Sequence, residues 1–209
     1  MHGVPRIRHY CEVMDDRSHM LTELQAVLAE VGSDHALVGG LAAGHHGRER
    51  ATIDVDLLVP GKKLASLARA LEKRGFQVRS FLPDMIRVYA GGANPDEDEA
   101  VADLVSKDAN PVLAAAFVAV EPAEVLGHPV KLVNRGAFVA LKFNAAVSPT
   151  RRIEDRYQDI VDIGRVIAKH FEPSDLELAR SIAAHMYPGA PDELTNMIDD
   201  LRHGRSVKI

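Results

Sequence analysis

The sequence predicts an α+β fold in two parts, an α/β part over residues 1–134 and a helical part over residues 135–209. Strand-like runs of β-branched and apolar residues alternate with helical periodicity up to about residue 134. From Gly136 onward only helical periodicity continues, and no linker rich in glycine or proline separates the two parts. We therefore expect the helical part to pack against the α/β part.

The composition excludes several classes of protein. Of the 209 residues, 46% are hydrophobic and one is cysteine, which rules out a disordered chain, a disulfide scaffold and a thiolate zinc cluster. The longest apolar run, residues 112–120, has nine residues, against about 20 for a membrane-spanning helix. No signal-peptide pattern opens the chain, so we expect a cytoplasmic protein without membrane contact. The net charge of -5 disfavours non-specific DNA binding.

The elements of the α/β part follow from periodicity and from the residues that end them. Leucines recur at helical spacing from Leu21 to Leu28 before Gly32, which predicts a helix over 16–32. The β-branched and apolar run 51–59 is the clearest strand. In chain order, the predicted elements are a helix (16–32), a strand (35–38), a short helix (41–46), a strand (51–59), a helix (64–75), three strands (76–81, 85–90 and 101–105) and a hairpin (118–125 with 129–133).

The helical part is predicted to contain four helices. Their ranges are 136–147, 151–169, 174–186 and 191–203. In the second of these, Ile153, Tyr157 and Ile160 belong to an apolar stripe. The residues that share a different, polar face are Arg152, Asp155, Asp159 and Asp162. That polar face could line a cleft.

The strand over residues 51–59 carries two carboxylates on one face. Side chains alternate between the faces of a strand, so Asp54 and Asp56 point the same way, about 7 Å apart along the chain. Two such anions repel each other unless a cation lies between them. Divalent ions with oxygen ligands, above all Mg²⁺, suit this arrangement, and two-ion sites catalyse phosphoryl displacement.

A pair of glycines precedes these carboxylates. Gly39 and Gly40 follow a predicted strand and precede a helix, where backbone N–H groups can approach a triphosphate closely. Arg48, Arg50 and Thr52 lie between the glycines and the carboxylates, and their guanidinium and hydroxyl groups could also reach phosphate. This stretch therefore indicates a nucleotide-binding site.

These residues carry a family resemblance. Gly39-Gly40-Leu41-Ala42, then His46-Gly47-Arg48, then Arg50-Ala51-Thr52-Ile53-Asp54-Val55-Asp56-Leu57-Leu58, resemble the opening signature of the polymerase-β-type nucleotidyltransferase superfamily. The form is most similar to the AbiEii-like branch, which includes toxins of bacterial toxin–antitoxin systems. The resemblance implies a mixed β-sheet flanked by helices, a magnesium–NTP substrate and transfer of a nucleoside monophosphate to a hydroxyl. It also implies a third metal-binding carboxylate, for which Asp103 is the candidate.

A second matching block lies at the start of the helical part. Leu141-Lys142-Phe143-Asn144-Ala145, followed by residues 151–160, is similar to a later AbiEii-like motif. The resemblance implies that Lys142 contacts the triphosphate and that Asp155 completes the site or orients Lys142. It further implies two magnesium ions with NTP bound, a tRNA or protein acceptor and a cognate antitoxin as a possible partner.

Less specific interpretations remain open beside these. Asp103 could be a strand-end residue, Lys142 a lysine whose stem crosses apolar surface, and Asp155 part of a solvated helix face with neighbouring arginines. The motif has Gly-Gly where the broader superfamily often has Gly-Ser, and the acidic loop 91–100 has no assigned role. The alternative function is a non-catalytic nucleotide-binding or RNA-binding module of the same fold.

Overall fold

The computed structural model describes residues 5–47, 52 and 54–207, with side chains for all of these except 5–16 and 81. Over these residues the chain forms eight α-helices and seven β-strands. The helices are α1 (Pro5–Val31), α2 (Gly39–His45), α3 (Leu64–Lys73), α4 (Pro111–Val118), α5 (Arg135–Ala146), α6 (Ile153–Ile167), α7 (Pro173–Ala183) and α8 (Ala190–Arg202). The strands are β1 (Ala36–Leu37), β2 (Val55–Val59), β3 (Gln77–Leu82), β4 (Met85–Tyr89), β5 (Ala102–Ser106), β6 (Val120–Val125) and β7 (His128–Val133).

All seven strands join one sheet in the order β3-β4-β5-β2-β1-β7-β6. The pairs β2–β5 and β1–β7 are parallel, and the remaining neighbours are antiparallel. The expectation of a mixed sheet with flanking helices is therefore confirmed. Because β2 and β5 are adjacent although far apart in sequence, side chains from two distant segments meet near the middle of the sheet.

One face of the central strands forms the core. Val55, Leu57 and Val59 of β2 are almost fully buried, as are Ala102 and Leu104 of β5. The intervening residues point to the other face, where Leu58 is also buried but Asp56 and Asp103 are partly accessible. The strand alternation thus places these two carboxylates on the face opposite to Val55 and Leu57.

Helices of the C-terminal part continue the same core. Helix α5 packs on α2 and α4 and also on α6 and α7, and α8 packs on α6 and α7. A single cluster of buried apolar side chains includes Leu57 in the sheet, Phe138 in α5 and Ile163 in α6. The side chain of Asn134 caps α5 by accepting a hydrogen bond from the backbone N–H of Ala137.

The structure differs most from the sequence prediction in two stretches. The apolar run from Val112 forms helix α4, and the following strand begins at Val120 rather than at residue 118. A continuous apolar run has neither helical nor strand periodicity, but Asn110 as N-cap and Pro111 in the first turn mark this helix. Helix α1 begins at Pro5 instead of residue 16. The sequence did not predict its first part because residues 5–15 mix polar and apolar types without a clear stripe.

Among the helices that the structure describes, none combines the length and the apolar character needed to cross a membrane.

Candidate active site

Three carboxylates meet beside the middle of the sheet. Asp56 of β2 and Asp103 of β5 are direct partners in the parallel register, and Asp54 lies just before β2. One carboxylate oxygen from each lies within 4.8 Å of the other two. The structure therefore brings together all three predicted metal ligands, although Asp54 lies outside the strand in which it was predicted.

The three carboxylates are electrostatically unfavourable without a cation. Burial, followed by repulsion from Asp54 and Asp103, raises the pKa of Asp56 to about 7. Burial also raises the pKa of Asp103 to about 6, with the Arg87 guanidinium acting in the opposite direction. Three oxygen donors that repel one another at this spacing suit a hard divalent cation. The donor set therefore fits the Mg²⁺ that the motif resemblance implies.

The glycine pair lies against these carboxylates. Gly39 has φ +65°, and a Cβ there would lie 1.7 Å from Oδ2 of Asp56. The backbone N–H of Gly40 points at the same oxygen over 3.4 Å, and a Cβ on Gly40 would lie 2.3 Å from Oγ1 of Thr52. Only residues without a side chain allow the start of α2 to approach the carboxylates this closely.

Of the two other predicted nucleotide-binding residues, the structure describes Thr52 but not Arg50. The hydroxyl of Thr52 is buried and donates a 2.8 Å hydrogen bond to Oδ1 of Asp54. Thr52 thus orients a candidate ligand, and its contact with a nucleotide stays a prediction. Arg50 belongs to the residues that are not described, so its predicted role is untested.

Lys142 of helix α5 forms ion pairs with two carboxylates of helix α6. Its Nζ lies 2.8 Å from Oδ1 of Asp159 and 2.8 Å from Oδ2 of Asp162, and Arg151 also pairs with Asp159 at 2.9 Å. The positive charge of Lys142 lowers the pKa of Asp56, against the larger effect of burial. The influence of Lys142 on Asp56 is smaller than that of burial and of the neighbouring carboxylates.

The carboxylates that hold Lys142 are not the one that sequence reasoning singled out. Asp159 and Asp162 are almost completely buried on α6, whereas Asp155 is partly exposed in the first turn of that helix. The described ion pairs of Lys142 go to the former two, and the predicted role of Asp155 remains a prediction. The three-residue spacing of Asp159 and Asp162 was a signal for a shared helix face.

Arg87 is a site residue that sequence reasoning missed. It lies on β4 directly opposite Asp103, and its Nε is 3.4 Å from Oδ1 of Asp103. Its place beside the carboxylates follows from the pairing of β4 with β5, which no local sequence signal reveals.

Comparison with known structures supports the fold. The sequence matches no protein-family model and no curated protein. An antigenic nucleotidyltransferase-like protein from Paracoccidioides brasiliensis aligns with a TM-score of 0.56 and 20% identity, over 88% of this chain and 93% of that chain. The antibiotic-resistance factor ANT(2'')-Ia aligns with a TM-score of 0.51 and 16% identity, over 90% of this chain and 97% of that chain. The chain therefore has a nucleotidyltransferase-like fold.

Proposed function

We propose that this protein is a magnesium-dependent nucleotidyltransferase, which transfers a nucleoside monophosphate from an NTP to a hydroxyl acceptor. The observation that carries this proposal is the convergence of Asp54, Asp56 and Asp103 beside the turn at Gly39 and Gly40. Carboxylates at a divalent-ion spacing next to a glycine turn suit a metal-bound triphosphate.

The residues of the site have distinct roles in this proposal. Asp54, Asp56 and Asp103 would hold Mg²⁺, which when bound supplies the positive charge that neutralises the phosphate oxygens. Because Gly39 and Gly40 have no side chains, their backbone can approach Asp56 and Thr52 closely, and its N–H groups would bind the triphosphate there. Lys142 would contact the triphosphate, and the buried carboxylates of Asp159 and Asp162 hold its ammonium group in place.

The reaction is an in-line displacement at the α-phosphorus. The acceptor oxygen forms a bond to that phosphorus, the bond to the bridging oxygen of the β-phosphate breaks, and pyrophosphate leaves. The hydroxyl proton passes to a carboxylate acting as general base or to solvent. Positioning and charge stabilisation carry most of the catalysis in such transfers.

The acceptor and the biological role form the finer part of the proposal. The motif resemblance favours an RNA end, such as that of tRNA, or a protein side chain, and a toxin role with a cognate antitoxin. A small-molecule acceptor is the competing possibility, because one protein of similar fold is an antibiotic-resistance factor. A non-catalytic module of this fold would bind NTP without transferring any part of it.

Label transfer tests the proposal. The protein is incubated with each α-labelled NTP, Mg²⁺, total RNA and lysate protein, and we expect label in one acceptor fraction. The double variant Asp54→Asn with Asp56→Asn should abolish transfer. Asp84→Asn, an exposed aspartate in the turn between β3 and β4, is the matched control and should retain it. Unchanged labelling by the double variant would refute the assignment.

A further inference from the structure

A row of charged side chains crosses four strands on the face of the candidate site. Asp56 on β2 is opposite Asp103 on β5, Asp103 is opposite Arg87 on β4, and Arg87 is opposite Arg79 on β3. Directly opposed residues share one face of a sheet. The row is therefore acidic at the centre of the sheet and basic towards its β3 edge, and we call Arg79 and Arg87 the basic row.

Arg87 is the member of the basic row that touches the carboxylate cluster. Its side chain is 35% exposed, and its Nε lies 3.4 Å from Asp103, longer than the usual 2.7–2.9 Å or so of a charge-assisted hydrogen bond. Arg79 is 50% exposed and pairs with Asp96 of the loop after β4 at 2.7 Å. The side chains of both arginines are thus partly exposed beside the cluster, although Nε of Arg87 is buried.

The two sides of the cluster are chemically different. The glycine turn follows β1, on one side of Asp56, whereas Arg87 is on β4, two strands away on the other side. Two strand spacings correspond to about 10 Å. In the proposed reaction the attacking and leaving oxygens are in line on opposite sides of the phosphorus. If pyrophosphate leaves on the glycine side, the acceptor approaches from the side of Arg87.

We propose that Arg87 binds a phosphate of the acceptor, which makes the acceptor a polynucleotide end. This inference rests on the proposed function and names the substrate class of that same site. A divalent cation held by Asp103 would take over the counter-charge that Arg87 now provides, and the partly exposed guanidinium can then add a phosphodiester to its partners. Arg79 lies one strand further along the row, where it can bind the next phosphate of the same polynucleotide. A cationic acceptor would be repelled by the guanidinium groups of Arg79 and Arg87 on this side.

The test compares two short single-stranded RNA probes. They differ only in the last internucleotide linkage, which is a phosphodiester in one and a neutral methylphosphonate in the other. Both carry a 2′-O-methyl group at that linkage for chemical stability. Binding is measured by fluorescence anisotropy in Mg²⁺ for the wild type, Arg87→Gln, Arg87→Lys and Arg74→Gln. Arg74 is the matched control because it pairs with Glu23 and Glu30 of α1, away from the row.

The wild type should bind the phosphodiester probe about tenfold more tightly than the methylphosphonate probe. Arg87→Gln should bind both probes alike, Arg87→Lys should keep part of the preference, and Arg74→Gln should match the wild type. The slope of log affinity against log salt should fall by about 0.7 in Arg87→Gln, as expected for one lost contact to single-stranded phosphate. A merely structural role of Arg87 would leave this slope unchanged.

Two results would overturn the inference: equal or absent binding of the two probes by the wild type, or a preference that survives in Arg87→Gln. Failure of the proposed function is a different outcome. It would appear as an absence of label transfer from every NTP, whatever the probes show. Transfer to a protein or small-molecule fraction, without a preference between the probes, would retain the function and reject the role of Arg87.

Discussion

Replacing Asp56 with asparagine should stabilise the metal-free protein at pH 8. The pKa of Asp56 rises from 3.8 to about 7, chiefly because the carboxyl is buried and then because Asp54 and Asp103 repel its charge. At about 1.36 kcal/mol per unit, this shift corresponds to a cost of about 4 kcal/mol for the ionised form. Asp56 retains some solvent access, so we expect a stabilisation of roughly 2–4 kcal/mol for Asp56→Asn.

The sign of this effect depends on pH. Between about pH 4 and pH 7 the folded protein keeps a proton on Asp56 that the unfolded chain has lost. The contribution of Asp56 to stability therefore falls as pH rises through this window, and its full cost is present above pH 7. Below about pH 4, Asp56 is protonated in both the folded and the unfolded state, so it no longer lowers the stability of the protein. Asp103, whose pKa is raised to about 6, acts in the same direction.

A buried histidine opposes this trend in the wild type. Burial lowers the pKa of His46 to about 4, so the folded state loses stability as pH falls from about 6.5 towards 4. His46 therefore offsets only part of the change in stability that Asp56 and Asp103 together cause in that range. The difference between wild type and Asp56→Asn cancels the contribution of His46 and isolates that of Asp56.

Urea unfolding from pH 4 to pH 8 in EDTA measures this difference. The two proteins should have similar stability at pH 4, and the variant should become progressively more stable up to pH 8. Mg²⁺ should reverse the order at pH 8, because it stabilises only the protein that retains its ligands. A constant difference across the pH range, or an equal response of both proteins to Mg²⁺, would refute the reasoning.

Two further predictions concern the lysine and the glycine of the site. Lys142→Met should destabilise the protein by about 3–5 kcal/mol in urea, because it removes a cation that pairs with both of the buried carboxylates, Asp159 and Asp162. Lys131→Met, which breaks a solvent-exposed ion pair, should cost less than about 1 kcal/mol. Similar losses would contradict the role of the buried pair. Gly39→Ala should lower the free energy of unfolding by at least about 2 kcal/mol more than Gly32→Ala does. Both glycines have a similar positive φ, but only at Gly39 would a Cβ meet another side chain, the carboxylate of Asp56. If both variants lowered the melting temperature equally, the close approach of Gly39 to Asp56 would have no effect on stability.

Much of the fold could be predicted from the sequence. The predicted helices of the C-terminal part differ from α5 to α8 by only a few residues at each end, because amphipathic periodicity and capping residues are local signals. The stretch from Gly39 to Asp56 was recognisable for the same reason, since its glycines and carboxylates lie close together in the chain. Helix α4 was missed because a uniformly apolar run has no periodicity to read.

By itself, the sequence determined which residue types could bind a metal and a triphosphate and in which local elements they lie. Only the tertiary structure decided which distant side chains join them. The order of the strands places Asp103 beside Asp56 and Arg87 beside Asp103, and the packing of α6 on α5 pairs Lys142 with Asp159 and Asp162. Strand order and helix packing arise from burial of the whole core, a property of the folded chain that no short segment carries.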